Sequence, residues 1–393
     1  MVKKFSTLLI FIVLMILPLG CNGKKERTNF EETKIPDGSG NSESLNDNGV
    51  FYTKKGVVYF FDPETRIKMP LCSKANCEHR GSSHDNSHPT CDAYFGQAVG
   101  YSAIVKDKLY CMVRISDEAD GEKGLFTKEF YKADKNGTDR KLLFRADDIQ
   151  YGTYAKYENG YFLYGYYNAE DPNGKELEID EVGMCVFNLE TEKLTRIYPE
   201  NRYGGRIVKM TVSEGKLYYG LSYMTKNLKN YNYEYFSDLE NSDEVSRLIR
   251  DEVWVYDIET GNTELVFRTG IIPQFSFGYD HLYYSEDNKE HIIRDLVSGK
   301  EVRIIKENVN IQPLMIPEGI VFCDNGRIEL WKYETEELEK IGDYSEDQNI
   351  MLQFITGKWV YAIIYNDDEF KRVYCPQKDF MEGRFEWKEY DIE

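Results

Sequence analysis

The chain reads as an all-β protein, and its most specific expectation is a seven-bladed β-propeller. Three observations point there. An aromatic-rich strand motif recurs seven times; a polar turn motif follows nearly every copy; and the 31 tyrosines favour pleated, half-buried surfaces over long helices.

The first motif is a turn residue feeding an apolar strand. It runs "NGVFYT" from Asn48, "DKLYCM" from Asp107, "GYFLYG" from Gly160, "GKLYYG" from Gly215, "DHLYYS" from Asp280, "GIVFCD" from Gly319 and "GKWVYA" from Gly357. The second is a strand ending in a tight turn, as in "VYDIETGNTELVF" from Val255, "IRDLVSGKEVRII" from Ile293 and "VFNLETEKLTRIY" from Val186. There Asp and Thr side chains can bond the turn backbone, and Gly takes positive φ. The last copies start 39 and 38 residues apart (280 to 319, 319 to 357), which is the period of one four-stranded blade. Earlier intervals of 59, 53, 55 and 65 residues read as a blade plus an insertion. A six- or eight-bladed ring is compatible with the same grammar. Residues 38–47 are too polar for an inner strand, so blade 1 is expected to start at its second strand. The tail "GRFEWKEYDIE" from Gly383 then completes either blade 7 or blade 1.

This repeat grammar resembles the low-density-lipoprotein-receptor-like propellers found in uncharacterised bacterial lipoproteins. It covers about residues 48–393. The YWTD tetrapeptide of the receptor propellers is absent, and WD-type and quinone-type propellers share the grammar. The resemblance implies the fold and no functional residue.

The N-terminus sets the compartment. "MVKKFSTLLIFIVLMILPLGC" has a short basic start and an apolar run from Leu8 to Leu19, too short for a comfortable membrane span, so residues 1–20 read as a secretory signal. Gly20-Cys21 resembles a lipobox, although Pro18 and Leu19 stand where that box usually has Leu and a small residue. Cys21 is therefore the expected diacylglycerol attachment point, giving a protein tethered to the cell membrane and facing the extracytoplasmic side. The competing reading is an ordinary signal peptide with Cys21 a bystander. Residues 21–47 are rich in Gly, Ser, Asn and Glu and read as a solvated linker. Formal net charge is −19, and removing Lys3 and Lys4 with the signal takes −19 to −21. That balance excludes nucleic acid as a partner and argues against electrostatic docking on anionic lipid.

With the repeated strands assigned as the second and third of each blade, four insertions leave by one face. Three join second to third strands, from Ser116, Asn168 and Met224. The longest spans 224–250, carries Tyr231, Tyr233, Tyr235 and Phe236 as candidate ligand-binding aromatics, and includes a short helix from Ser242. The fourth is the Cys/His-rich segment 72–96, between blades 1 and 2.

That segment holds three of the eight cysteines and three of the five histidines, with the spacing Cys72-x4-Cys77-x-His79-x11-Cys91. Three thiolates and one imidazole complete a tetrahedral zinc shell, with His84 and His88 as competing fourth ligands. A disulfide and unlinked thiols are the rival readings, the former favoured by an oxidising compartment. Similar segments in propeller-like lipoproteins imply a shared structural device. If zinc binds, four protein ligands leave no open position, so the site is structural. Cys111, Cys185, Cys323 and Cys375 fall in expected strands and read as small core residues.

No repeated Ser-x-Asp-x-Gly-x-x-Trp box, Gly-x-Ser-x-Gly elbow or His-Glu-x-x-His stretch occurs. His281 and His291 read as turn or surface residues, and the acidic pair Asp257 and Glu259 as turn-stabilising. No catalytic residue is assigned. The leading expectation is a lipid-anchored propeller that binds an envelope or extracellular protein or a glycan. The alternatives are a propeller glycosidase or lyase, and an envelope assembly factor.

Overall fold

The computed structural model describes residues 44–46, 49–79, 91–96, 99–105, 107–115, 127–146, 149, 151–158, 160–170, 178–200, 205–225, 248–268, 274–285, 290–305, 313–324, 326–344, 349–366 and 369–391. Twenty-eight strands form seven four-stranded antiparallel sheets, each from four consecutive strands. Blade 1 is β1 (Ser44–Asn46), β2 (Gly49–Lys54), β3 (Val57–Phe61) and β4 (Lys68–Pro70). Blade 2 is β5 (Val99–Val105), β6 (Lys108–Ile115), β7 (Thr127–Asp134) and β8 (Lys141–Ala146). Blade 3 is β9 (Tyr151–Glu158), β10 (Tyr161–Glu170), β11 (Glu178–Asn188) and β12 (Lys193–Ile197). Blade 4 is β13 (Arg206–Ser213), β14 (Lys216–Met224), β15 (Ile249–Asp257) and β16 (Thr263–Arg268). Blade 5 is β17 (Gln274–Gly278), β18 (His281–Ser285), β19 (Glu290–Asp295) and β20 (Glu301–Ile305). Blade 6 is β21 (Leu314–Ile316), β22 (Gly319–Asp324), β23 (Arg327–Lys332) and β24 (Leu338–Asp343). Blade 7 is β25 (Asn349–Ile355), β26 (Trp359–Asn366), β27 (Glu369–Pro376) and β28 (Lys388–Glu389), with the short helix α1 (Gln377–Met381) before its last strand.

The repeated motifs fall as the sequence suggests: the aromatic copies form the second strands and the turn-bearing copies the third. The turns close as expected too. Asp257 accepts the N–H groups of Glu259 and Thr260 at 3.1 and 2.7 Å, and Asp295 those of Val297 and Ser298 at 2.9 and 2.7 Å. The Thr260 N–H is the main reason the Asp257 carboxyl lies below its usual range. These turn bonds hold the third and fourth strands in register without help from the core.

Packing shows how seven sheets make a ring. The first strands touch in succession, β1 with β5, β5 with β9, β9 with β13, and on through β17, β21 and β25. Between each neighbouring pair of blades lies one hydrophobic cluster. Blades 2 and 3 share Phe130, Phe162 and Phe187, and blades 6 and 7 share Val321, Ile350 and Val360. The cluster of Val50, Tyr52, Phe61, Tyr361, Tyr374 and Tyr390 joins blade 1 to blade 7 and closes the ring. Each sheet thus buries both faces against its neighbours, which is how a propeller protects flat antiparallel sheets.

Closure differs from expectation. Ser44–Asn46 does supply the inner strand of blade 1, pairing Leu45 with Val50, despite its polarity. A three-residue inner strand is held by main-chain bonds to β2, so it needs no apolar pattern. The C-terminal tail completes blade 7, Tyr374 pairing with Lys388. Among the described residues, no strand is exchanged between blades 1 and 7.

Candidate functional site

The Cys/His segment begins where β4 ends. Leu71 N–H donates to Val58 O at 3.0 Å, extending the ladder by one residue and delivering Cys72 to the foot of blade 1. A tight turn over Lys74–Cys77 follows, closed by Cys77 N–H to Lys74 O at 3.4 Å, with Asn76 at φ 59°. Asn tolerates that left-handed conformation better than most residues, and the turn swings Cys77 back toward Cys72. His79 also has positive φ, 52°. The chain returns at Cys91, whose carbonyl accepts Tyr94 N–H at 3.0 Å in a second turn.

These turns bring one ligand atom each from Cys72, Cys77, His79 and Cys91 within 4.8 Å of one another. Cys91 is buried, and the other three are half-buried. Cys91 Sγ lies 3.8 Å from His79 Nδ1. Tetrahedral zinc with sulfur and nitrogen ligands at about 2.3 and 2.1 Å sets ligand atoms roughly 3.6–3.8 Å apart. A disulfide needs about 2.05 Å, and all three cysteines are free thiols. The 3.8 Å separation suits a tetrahedral metal shell, and the described cysteines form no disulfide. His84 and His88, the alternative fourth ligands, lie outside the described residues.

Electrostatics agree with that chemistry. Burial opposes the Cys72 thiolate, but the N–H groups of Lys74 and Asp92 and the Cys77 and Cys91 thiols outweigh it and bring Cys72 below the ordinary thiol range. Burial, with Cys77 and Cys72 adding to it, pushes Cys91 up to about 12. A bound dication would displace thiol protons from such ligands.

The return arm is locked into its surroundings. Val58 N–H donates to Ala93 O and Phe95 N–H to Gly56 O, both at 2.9 Å, and Val57 pairs with Tyr94. From blade 2, Arg140 Nη2 donates to Asp92 O at 2.8 Å, and its guanidinium lies 3.6 Å over the Phe95 ring. Lys74 pairs with Asp92 at 2.7 Å, and Asn136 Nδ2 donates to Ser73 Oγ at 3.3 Å. Two glycines admit this close approach: a Cβ on Gly56 (φ 80°) would strike the Gly96 carbonyl, and one on Gly137 (φ 82°) the Asp92 carbonyl. Sequence reading grouped these four residues, which the fold does bring together, and missed Gly56, Gly137 and Arg140, because their roles exist only after blades 1 and 2 are assembled.

The other expected site residues divide. Cys21, Tyr231, Tyr233, Tyr235 and Phe236 lie outside the described residues. Cys111, Cys185, Cys323 and Cys375 are all buried in blade cores, as read. His291 is not a surface residue: it is fully buried, with Nδ1 2.7 Å from the Tyr283 hydroxyl. His281 stacks on Tyr333 with ring centroids 3.7 Å apart.

A second charged cluster, also missed from sequence, lies in blade 4. Lys209 on β13 donates to Phe275 O at 2.6 Å, and burial, reinforced by Lys156, lowers its amine to about 7. Nearby Asp251 is raised by burial against the pull of Ser222, Arg206 and Lys209. The Lys209 bond ties blade 4 to blade 5. Paired Glu and Arg residues on adjacent outer strands recur at Glu129–Arg145 (3.6 Å) and Glu252–Arg268 (2.7 Å).

No protein-family model matches the chain, and no curated protein sequence matches it. Solved structures do. One, from a structural and mechanistic study of two prolyl endopeptidases, aligns at TM-score 0.53 and 10% identity over 90% of this chain and 50% of that one. Dipeptidyl peptidase 4 of Porphyromonas gingivalis aligns at 0.51 and 9% over 90% of this chain and 53% of that one. The β-propeller domain of the Trilobed protease from Pyrococcus furiosus, described as having an open velcro topology, aligns at 0.44 and 12% over 70% and 80%. The chain spans about half the length of the first two. At such identities the likeness is one of fold.

Proposed function

We propose that the protein is an extracytoplasmic β-propeller, anchored by diacylglycerol on Cys21, that binds a protein or a glycan through one face and carries one structural zinc on Cys72, Cys77, His79 and Cys91. The observation that supports the binding role is the asymmetry of the two faces. Connections from first to second strands are tight, as at Glu214–Gly215 and Tyr279–Asp280. Three long connections, 116–126, 171–177 and 225–248, join second to third strands and so leave by the opposite face, while the first face carries one connection of comparable length, 377–387 with α1. On that same face, at the far ends of β26 and β27, Tyr365 and Phe370 stack at 6.3 Å while 37% and 41% exposed, with Arg372 4.8 Å over Phe370. Solvent-facing aromatics beside long loops suit recognition of sugar rings or protein side chains.

Capture from envelope extract tests this reading. Wild-type protein is compared with a variant whose residues 226–247 are replaced by a four-residue turn. A specific partner retained by wild type and lost by the variant is expected. Equal retention would remove the loop face from the proposal. Cys21→Ser should leave the membrane fraction, and elemental analysis should find about one zinc per chain.

A further inference from the structure

Blade 1 is the smallest in the ring, its strands only 3, 6, 5 and 3 residues long. Its outer edge is not finished by β4 alone. Val58, on β3, accepts Leu71 N–H through its carbonyl and donates to Ala93 O through its own N–H. Leu71 precedes Cys72 on the outgoing arm, and Ala93 follows Cys91 on the return arm. Both arms are therefore fastened to one residue of blade 1, and each carries part of the ligand set.

The same arms hold blade 2. Phe95 is buried among Leu109, Cys111, Tyr131 and Ala133, and Arg140 grips the Asp92 carbonyl. Within that cluster Val58 is the sole buried residue from the strands of blade 1. The connection thus takes part in the joint between the two blades, beside the direct contacts of β1 and β2 with β5. On its other side, blade 1 meets blade 7 with no shared strand.

Resting on the zinc reading above, we propose that the metal on Cys72, Cys77, His79 and Cys91 is the lock of the ring. It ties the outgoing arm to the return arm, holds blade 1 against blade 2, and thereby keeps the seam between blades 1 and 7 shut. The chemistry asks for a dication that accepts three thiolates and an imidazole in a tetrahedron, which describes zinc. Binding free energy at such a site is folding free energy for the segments it joins. Metal loss should therefore free blade 1 as a unit, well beyond the two turns that carry the ligands.

Hydrogen exchange on the full chain, with its metal and after treatment with a zinc chelator, tests this. Metal content is measured on the same samples. In the chelated protein, exchange should accelerate at least about tenfold in 49–61 and 388–391 as well as in 91–96, while 161–167 and 217–221 in blades 3 and 4 keep their protection. Acceleration confined to 72–79 and 91–96 would overturn the lock and leave the zinc site standing. Loss spread evenly through blades 3 and 4 would also overturn it, because the metal would then stabilise the ring as a whole. A chain that carries no metal removes the zinc reading itself, and the lock with it. Arg140→Ala supplies the independent arm. It retains all four ligands and should keep its metal, yet exchange in 49–61 and 388–391 should rise. Unchanged exchange there would show that the return arm does not couple blade 2 to blade 1.

Discussion

Blade 1 is sealed on its two sides by different means. Toward blade 7 it uses its own aromatics: Phe61 stacks on Tyr390 at 5.4 Å and 14° and meets Tyr374 edge-on at 5.7 Å. The Tyr374 hydroxyl donates to Pro63 O at 3.0 Å. Toward blade 2 it borrows the connection that carries Cys72, Cys77, His79 and Cys91. Tyr52 and Phe61 pack with the tyrosines of blade 7, whereas on the other side Val58 packs with Phe95 of the connection. One joint is thus made by side chains already on the sheet, and the other by a loop that must first be folded.

The largest effect should come from Tyr390→Ala. Tyr390 is buried and packs on Phe61, Tyr361 and Tyr374. Truncating such a ring costs about 3–5 kcal/mol, and no metal can offset it. Urea denaturation at fixed metal content should show that loss. A cost below about 1 kcal/mol would mean the seam contributes little and the comparison between the joints is wrong.

Gly56→Ala should come next and should act on the other joint. Positive φ together with the clash against the Gly96 carbonyl predicts a loss of about 2–3 kcal/mol. Its signature differs from that of Tyr390→Ala. Misplacing the return arm should weaken metal retention, so a chelator titration should strip the variant at lower chelator concentration than wild type. Equal retention would separate the ligand turns from the docking of the arm.

Tyr374→Phe is a finer probe of the seam. It keeps the ring against Phe61 and removes only the hydroxyl that bonds Pro63 O. Both groups are buried, so the carbonyl is left unsatisfied and about 1–2 kcal/mol should be lost. Thermal melting of the two proteins side by side checks it.

How much of this was legible in the sequence follows from what each feature depends on. The seven second strands were, because Gly-Lys-Leu-Tyr-Tyr at 215–219 and its relatives carry turn and apolar strand within six residues. The turns at Asp257 and Asp295 were, because Asx bonding is local. The cluster of Cys72, Cys77, His79 and Cys91 was, because the short Cys72–Cys77 spacing lets one turn bring the two cysteines together. The inner strand Ser44–Asn46 was not: its composition matches a linker, and only β2 beside it makes it a strand. Nor were Arg140 and Gly137, which act on Asp92 from 48 and 45 positions away (92 to 140, 92 to 137). His291 was misread as exposed because one sequence does not show that Phe322, from the next blade, covers it.

The smallest effect should be that of Lys68→Ala, and its smallness carries the point. Lys68 reaches across the seam to Asp391 at 3.4 Å, the visible ion pair between the first and last blades among the described residues. Both side chains are exposed, at 37% and 64%, and water and salt screen such a pair to roughly 0–0.5 kcal/mol. It lines a shallow recess with Phe61, Arg66, Glu389 and Tyr390, so its removal opens no core. If the seam is sealed by aromatic packing, the variant should melt within about 2 °C of wild type at both low and high salt. A fall of more than about 1.5 kcal/mol at low salt that shrinks in high salt would make the seam electrostatic. Blade 1 would then be held on both sides by charge, metal at one joint and an ion pair at the other, and the contrast drawn between its two joints would fail.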